Sequence, residues 1–133
     1  MKKAVFAIGN PLLGDDSIGP LVLQQLKGID AELIDAGWGL DPALIRRYDK
    51  VAVIDAGFFS GKPGELGTFT LDQMKPRQMQ STHGIDIIFL LKKYKTLPEI
   101  KFFLIQPRDA QKLTDEVKNS IPKVAKAVKE WLD

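Results

Sequence analysis

The chain has 133 residues, enough for one hydrophobic core, with 44% hydrophobic and 27% charged residues. Its net charge of +2 is too small to favour nucleic acid or an anionic membrane as partner. Cysteine is absent, which excludes disulfide scaffolds, thiolate nucleophiles and Cys-ligated metals. One domain over residues 1–133 is expected, acting as a monomer.

The chain opens with Met1-Lys2-Lys3 and the apolar run Ala4–Ile8, which reads as a buried strand. That run is too short for a signal-peptide core or a membrane span, so a cytoplasmic location is expected. The stretch Gly9-Asn10-Pro11-Leu12-Leu13-Gly14-Asp15-Asp16-Ser17-Ile18-Gly19 follows it. A helix is predicted over Ile18–Lys27, capped by Asp16 or Ser17 and ended by Gly28. Two adjacent carboxylates thus stand between the end of a first strand and a helix start. Open α/β sheets usually place their chemistry there, and a metal could be held there. The plain alternative is a capping acid beside a solvated one. Adjacent carboxylates do not readily face the same way, so one of the two, Asp16, is the candidate ligand. Gly9, Gly14 and Gly19 are spaced by five and sit beside acids, which argues against a dinucleotide loop.

Further on, Ala31–Ile34 reads as a strand and ends in Asp35, before Ala36-Gly37-Trp38-Gly39. Asp41-Pro42 starts a short helix to Arg47. Val51–Ile54 is a strand terminated by Asp55. Burying an unpaired charge is costly, so an acid ending a buried parallel strand reads as functional rather than stabilising. The turn Gly61-Lys62-Pro63-Gly64 leads to Gly67–Leu71, which can return as an antiparallel strand. His83, the single histidine, lies in the polar turn Ser81-Thr82-His83-Gly84 before a helix expected over Gly84–Tyr94. A lone histidine is more often structural, but imidazole also suits borderline metals and titrates near neutrality. Ile100–Ile105 is another strand. A last helix begins near Thr114, with the stripe Val117, Ile121, Val124, Val128 and Trp131 and a kink or break expected at Pro122. Trp38 and Trp131 read as core or interface fillers, and the late lysines as a wet helix face. Near-continuous apolar strands alternating with helices define a doubly wound, mostly parallel α/β domain.

These segments together resemble the maturation endopeptidases of nickel-iron hydrogenases. Gly9-Asn10-x-Leu12-x-x-Asp15-Asp16-x-x-Gly19 resembles their amino-terminal signature. Val53-Ile54-Asp55-Ala56 with Pro63-Gly64 resembles their second acidic segment. Ser81-Thr82-His83-Gly84 and Phe103-Leu104-Ile105-Gln106-Pro107 resemble two later ones, in matching order along almost the whole chain. Ser17, Asp16 and Gln106 depart from the pattern, standing where a glycine, a glutamate and an acid also occur. The resemblance implies a three-layer αβα sandwich around a five-stranded sheet. It implies that Asp16, Asp55 and His83 are the catalytic and metal-contacting trio. The activity it implies is removal of a carboxyl-terminal extension from a hydrogenase large-subunit precursor after nickel insertion, by an aspartyl-type, nickel-dependent hydrolase. The nickel is then supplied by the precursor's cysteines. Whether the trio activates the bond through the metal or only recognises it stays open at this point.

Three rivals bear on the same residues. A receiver-like module would phosphorylate Asp55, but the last strand ends Ile105-Gln106-Pro107-Arg108, without the lysine that grips phosphate. A peptidyl-tRNA hydrolase would need an early histidine and a basic groove. A non-catalytic nickel-site binding module would use the same trio without cleavage.

Overall fold

A computed structural model describes residues 1–10, 12, 14–37, 39–75, 78, 82–109 and 111–133, and for 82–86 the backbone alone. Trp38 and Ser81 therefore lie outside the described residues, as does the side chain of His83. The strands are β1 (Lys3–Ile8), β2 (Glu32–Gly37), β3 (Lys50–Ala56), β4 (Leu66–Thr70) and β5 (Glu99–Ile105). The helices are α1 (Ile18–Gln24), α2 (Pro42–Ile45), α3 (Thr82–Lys92) and α4 (Asp115–Leu132). A 3-10 turn, Gly14–Ser17, precedes α1.

The five strands lie in the order β2-β1-β3-β5-β4. All pairs are parallel except β4 against β5. β1 and β3 are buried along almost their whole length, which is why both read as continuous apolar runs. Alternation along the strands divides two layers. Phe6, Val51, Val53, Phe102 and Leu104 pack with Ile45, Ile88 and Leu91 of α2 and α3. Val5, Ala52, Ile54 and Phe103 pack with Ile18 and Val22 of α1 and with Val117, Val124 and Val128 of α4. The result is the expected three-layer αβα sandwich. No described helix is long and apolar enough to cross a membrane.

The chain leaves β1 toward β2 on one side and returns past it to β3 on the other. The carboxyl ends of β1 and β3 therefore flank the point where strand order reverses, and the crevice of such a sheet opens there. Close backbone packing sets its floor. A side chain on Gly19 would place its Cβ 2.4 Å from the Ile8 carbonyl oxygen and 3.0 Å from that of Ile54. Gly9, at φ +136°, passes the Asp16 carbonyl so closely that a Cβ would sit 2.1 Å from it.

Several local expectations are corrected. Neither Asp16 nor Ser17 caps α1. The Ser17 hydroxyl instead donates to the Gly14 carbonyl at 2.6 Å, inside the 3-10 turn. α1 stops at Gln24, short of Lys27, and α2 at Ile45, short of Arg47. Asp41 does cap α2, accepting from the Ala43 N–H at 2.9 Å. α3 starts at Thr82, so His83 lies in its first turn rather than in a turn before it. α4 runs unbroken through Pro122. The bond lost there leaves the carbonyl of Lys118 free, and Lys118 is exposed to water. Trp131 is half-buried, edge-on to Phe103 and under the Lys50 ammonium.

Gly19→Ala should lower unfolding free energy by about 3 kcal/mol, because the contact is with backbone that cannot step aside. Urea denaturation checks it, and an unchanged midpoint would show that α1 does not press on β1 and β3.

Candidate active site at the carboxyl edge

Asp15 and Asp16 leave the 3-10 turn in different directions. Asp15 is fully buried. Its Oδ2 accepts the N–H groups of Arg108 and Asp109 at 2.7 and 2.9 Å. Its Oδ1 accepts the Thr114 N–H at 2.7 Å, and the Thr114 hydroxyl lies 3.0 and 2.9 Å from the two oxygens. Burial pushes this carboxyl up. The N–H groups of Thr114, Asp109 and Arg108 and the Thr114 hydroxyl outweigh it, and the net shift is downward. Asp15 is thus an ionised internal anchor.

Asp16 is half-buried and among the described residues accepts one bond, from the Asn10 N–H at 3.0 Å. Burial raises its carboxyl, and the Asn10 bond offsets only part of the rise. Asp55 is the contrasting case. It is fully buried, and among the described residues neither carboxylate oxygen has a hydrogen-bond partner. Burial drives its carboxyl well above the ordinary range and the charge of Asp16 adds to this. The Ala56 N–H, short of hydrogen-bond geometry, offsets a little. Buried polar groups in folded proteins are almost always paired, so among the described residues Asp55 is the least satisfied group at this edge.

Strand alternation places Asp55 on the face shared by Val51 and Val53, the layer that α3 covers. The chain entering α3 is tied to the same edge, for the Phe58 N–H donates to the Gln78 carbonyl at 2.6 Å. His83 follows in the first turn of α3. The structure therefore brings Asp16 and Asp55 together and places the backbone of the His83 segment on the matching face. Among the described side chains no three His, Cys, Asp or Glu groups form a metal-holding cluster. The two carboxylates are an incomplete donor set. Asp35 does not join them; β2 runs past it to Gly37 instead of ending there, and Asp35 accepts the Gly37 N–H at 3.1 Å beside a register shift against β1.

Residues that composition and spacing do not single out complete the edge. The Gln106 side-chain oxygen accepts the N–H groups of Phe59 and Gly61 at 3.1 and 3.2 Å and holds the loop after β3. Thr114 closes on Asp15 as described. The depression lined by Arg46, Tyr48, Leu97 and Glu99 opens at the opposite, amino ends of the strands, away from the acids.

A mostly parallel αβα sandwich with two acids near its switch point is a doubly wound α/β domain of the kind that places its chemistry at the carboxyl edge. The profile of the family described as hydrogenase maturation protease matches residues 23–131, and the chain belongs to that family. The Hydrogenase 3 maturation protease of Escherichia coli K12 is 23% identical over 98% of this chain and 91% of its own length. Among solved structures, the NiFe hydrogenase maturation protease HybD from Thermococcus kodakarensis superposes with a TM-score of 0.82, at 23% identity, covering 100% of both chains. The hydrogenase maturating endopeptidase HybD from E. coli gives 0.83 at 20% identity, covering 99% of this chain and 92% of that one. The protein is accordingly a hydrolase of peptide bonds that serves hydrogenase maturation. The profile match begins after Asp16, so the family assignment stands independently of the acidic turn.

The sign of each shift fixes a pH dependence. Asp55, raised in the fold, costs stability as pH rises above its unfolded value of 3.8, until the folded carboxyl ionises. Asp15, lowered in the fold, contributes stability above 3.8 that is lost as pH falls through its folded value. Asp55→Asn should therefore stabilise the free protein at pH 7 by about 1–3 kcal/mol, with the gap closing toward pH 4. Thermal unfolding across pH checks this, and a destabilised variant at pH 7 would mean that Asp55 is paired.

Proposed function

We propose that this protein is an endopeptidase that removes the carboxyl-terminal extension of a nickel-iron hydrogenase large-subunit precursor after nickel insertion. On this reading Asp16, Asp55 and His83 contact nickel carried by the precursor. The observation that carries it is the buried, unpartnered carboxylate of Asp55 beside Asp16 at the switch point of the sheet. Such an arrangement is costly in the free protein and becomes favourable when a cation arrives. Two carboxylate oxygens and an imidazole nitrogen suit a borderline divalent ion with positions left for other ligands. Nickel belongs to the substrate here, and its positive charge is what the trio reads.

The chain's own residues then perform defined tasks. Asp55, kept dry by β3 and its neighbours, interacts strongly with charge because little water screens it. Asp16 adds a second anionic arm from the turn that follows the neighbouring strand β1. With the precursor seated, the attacking water gives its proton to a carboxylate oxygen of Asp16 or Asp55 that is not engaged with the metal, and that proton passes to the amine of the released extension as it leaves. The absence of cysteine removes thiolate attack. The mild net charge gives no reason to expect nucleic acid or membrane as partner, and action as a monomer in the cytoplasm fits this reading.

Asp16→Asn, Asp55→Asn and His83→Ala should each slow processing of nickel-loaded precursor by about 100-fold or more, and the wild-type protein should leave nickel-free precursor uncut. Gel-shift of the precursor reads both. Because Asp55→Asn is expected to be more stable than wild type, its inactivity cannot come from unfolding. Normal processing by all three variants would overturn the assignment.

A further inference from the structure

We propose that Asp15 is a positioning residue for peptide cleavage: by clasping the backbone at the start of α4 it fixes the rotation of the Gly14–Ser17 turn and so directs Asp16 toward Asp55. This rests on the reading of Asp16 and Asp55 as the reacting centre.

Asp15 is fully buried and both its oxygens are taken up by fixed donors, unlike those of Asp55, so it has nothing left to offer a substrate. Its carboxylate takes three backbone N–H groups and a hydroxyl, from residues 93 to 99 positions further along the chain. The Asp15 N–H returns a bond to the Asp109 carbonyl at 3.0 Å, which closes a ring between the two segments. The hydroxyl of Thr114 stands at the N-cap of α4 yet makes no bond to that helix, and it faces Asp15 instead. What Asp15 grips is well founded. α4 runs for 18 residues and buries Val117, Val124 and Val128 against the sheet and α1.

The grip is transmitted because the turn moves as one piece. Ser17 locks it internally through its bond to the Gly14 carbonyl at 2.6 Å. A 3-10 turn has about three residues per revolution, so neighbouring side chains diverge by about 120°. Fixing Asp15 therefore fixes where Asp16 points. Asp16 is held less firmly, since among the described residues its one hydrogen bond comes from Asn10 in the preceding loop.

Steady-state processing of nickel-loaded precursor by Asp15→Asn, Thr114→Val and Thr114→Ser tests this, with circular dichroism confirming that each is folded at the assay temperature. An asparagine turns an amide NH2 toward an N–H donor and breaks one side of the clasp. Valine removes the hydroxyl and keeps the Thr114 N–H, and serine restores the hydroxyl. Positioning predicts that kcat falls about 10- to 100-fold in Asp15→Asn and measurably in Thr114→Val, with KM within about twofold, and that Thr114→Ser works like wild type. If Asp15→Asn does not fold, Thr114→Val and Thr114→Ser decide the matter. A wild-type kcat in the folded variants, or a rise in KM alone, overturns the proposal and leaves Asp15 a purely structural anchor. Asp16→Asn, run alongside, separates the two levels. If it processes normally, the reading of the centre itself has failed and the positioning role falls with it.

Discussion

The carboxylate of Asp15 joins two parts of the chain that would otherwise meet through apolar packing and the one bond from the Asp15 N–H to the Asp109 carbonyl. Three N–H groups from the β5–α4 connection end on it, together with the Thr114 hydroxyl. A buried charge so fully solvated by fixed donors is stable and rigid, whereas the same charge with one donor removed leaves costly unpaired groups. The same connection also grips the loop after β3, through the Gln106 side chain and through the bond from the Gly64 N–H to the Gln106 carbonyl at 2.8 Å. The carboxyl edge is thus assembled around residues 106–114, which tie the acidic turn, the β3–β4 loop and α4 into one frame.

Within that frame the two other acids are left deliberately poorer. Asp16 has one donor and Asp55 none among the described residues. Burial raises all three carboxyls; at Asp15 the N–H groups aimed at it outweigh the burial, at Asp16 and Asp55 they do not, and the charge of Asp16 raises Asp55 further. On the proposed reading, stability is concentrated away from the substrate and withheld where the substrate's charge is received. An enzyme that must recognise a charge on its substrate gains from carboxylates that the fold has not already satisfied.

Much of this was legible in the sequence. β1, β3 and β5 are apolar runs covered on both faces, and the Thr/Phe/Leu run after Gly64 pairs antiparallel as its position implied. Asp55 stood out because an acid ending such a run has no structural excuse. What could not be read was long-range and made by backbone. Nothing about Arg108, Asp109 or Thr114 as residue types announces that their N–H groups close on Asp15. The cap expected at Ser17 does not form because its backbone is already helical, at φ −77° and ψ −3°, as the last residue of the 3-10 turn. The start of α3 was placed late because Ser-Thr-His-Gly is polar, although Thr82 and His83 already lie in the helix. The part of the site that depends on the His83 side chain lies outside the described residues.

The central claim is that Asp16, Asp55 and His83 meet on nickel carried by the precursor. The most direct measurement is nickel-edge X-ray absorption of the nickel-loaded precursor, alone and in a freeze-trapped complex with this protein. The account predicts that oxygen and nitrogen neighbours join the sulfur shell on complex formation and are reduced in number with Asp55→Asn. A nickel shell identical in the free and bound precursor would contradict it.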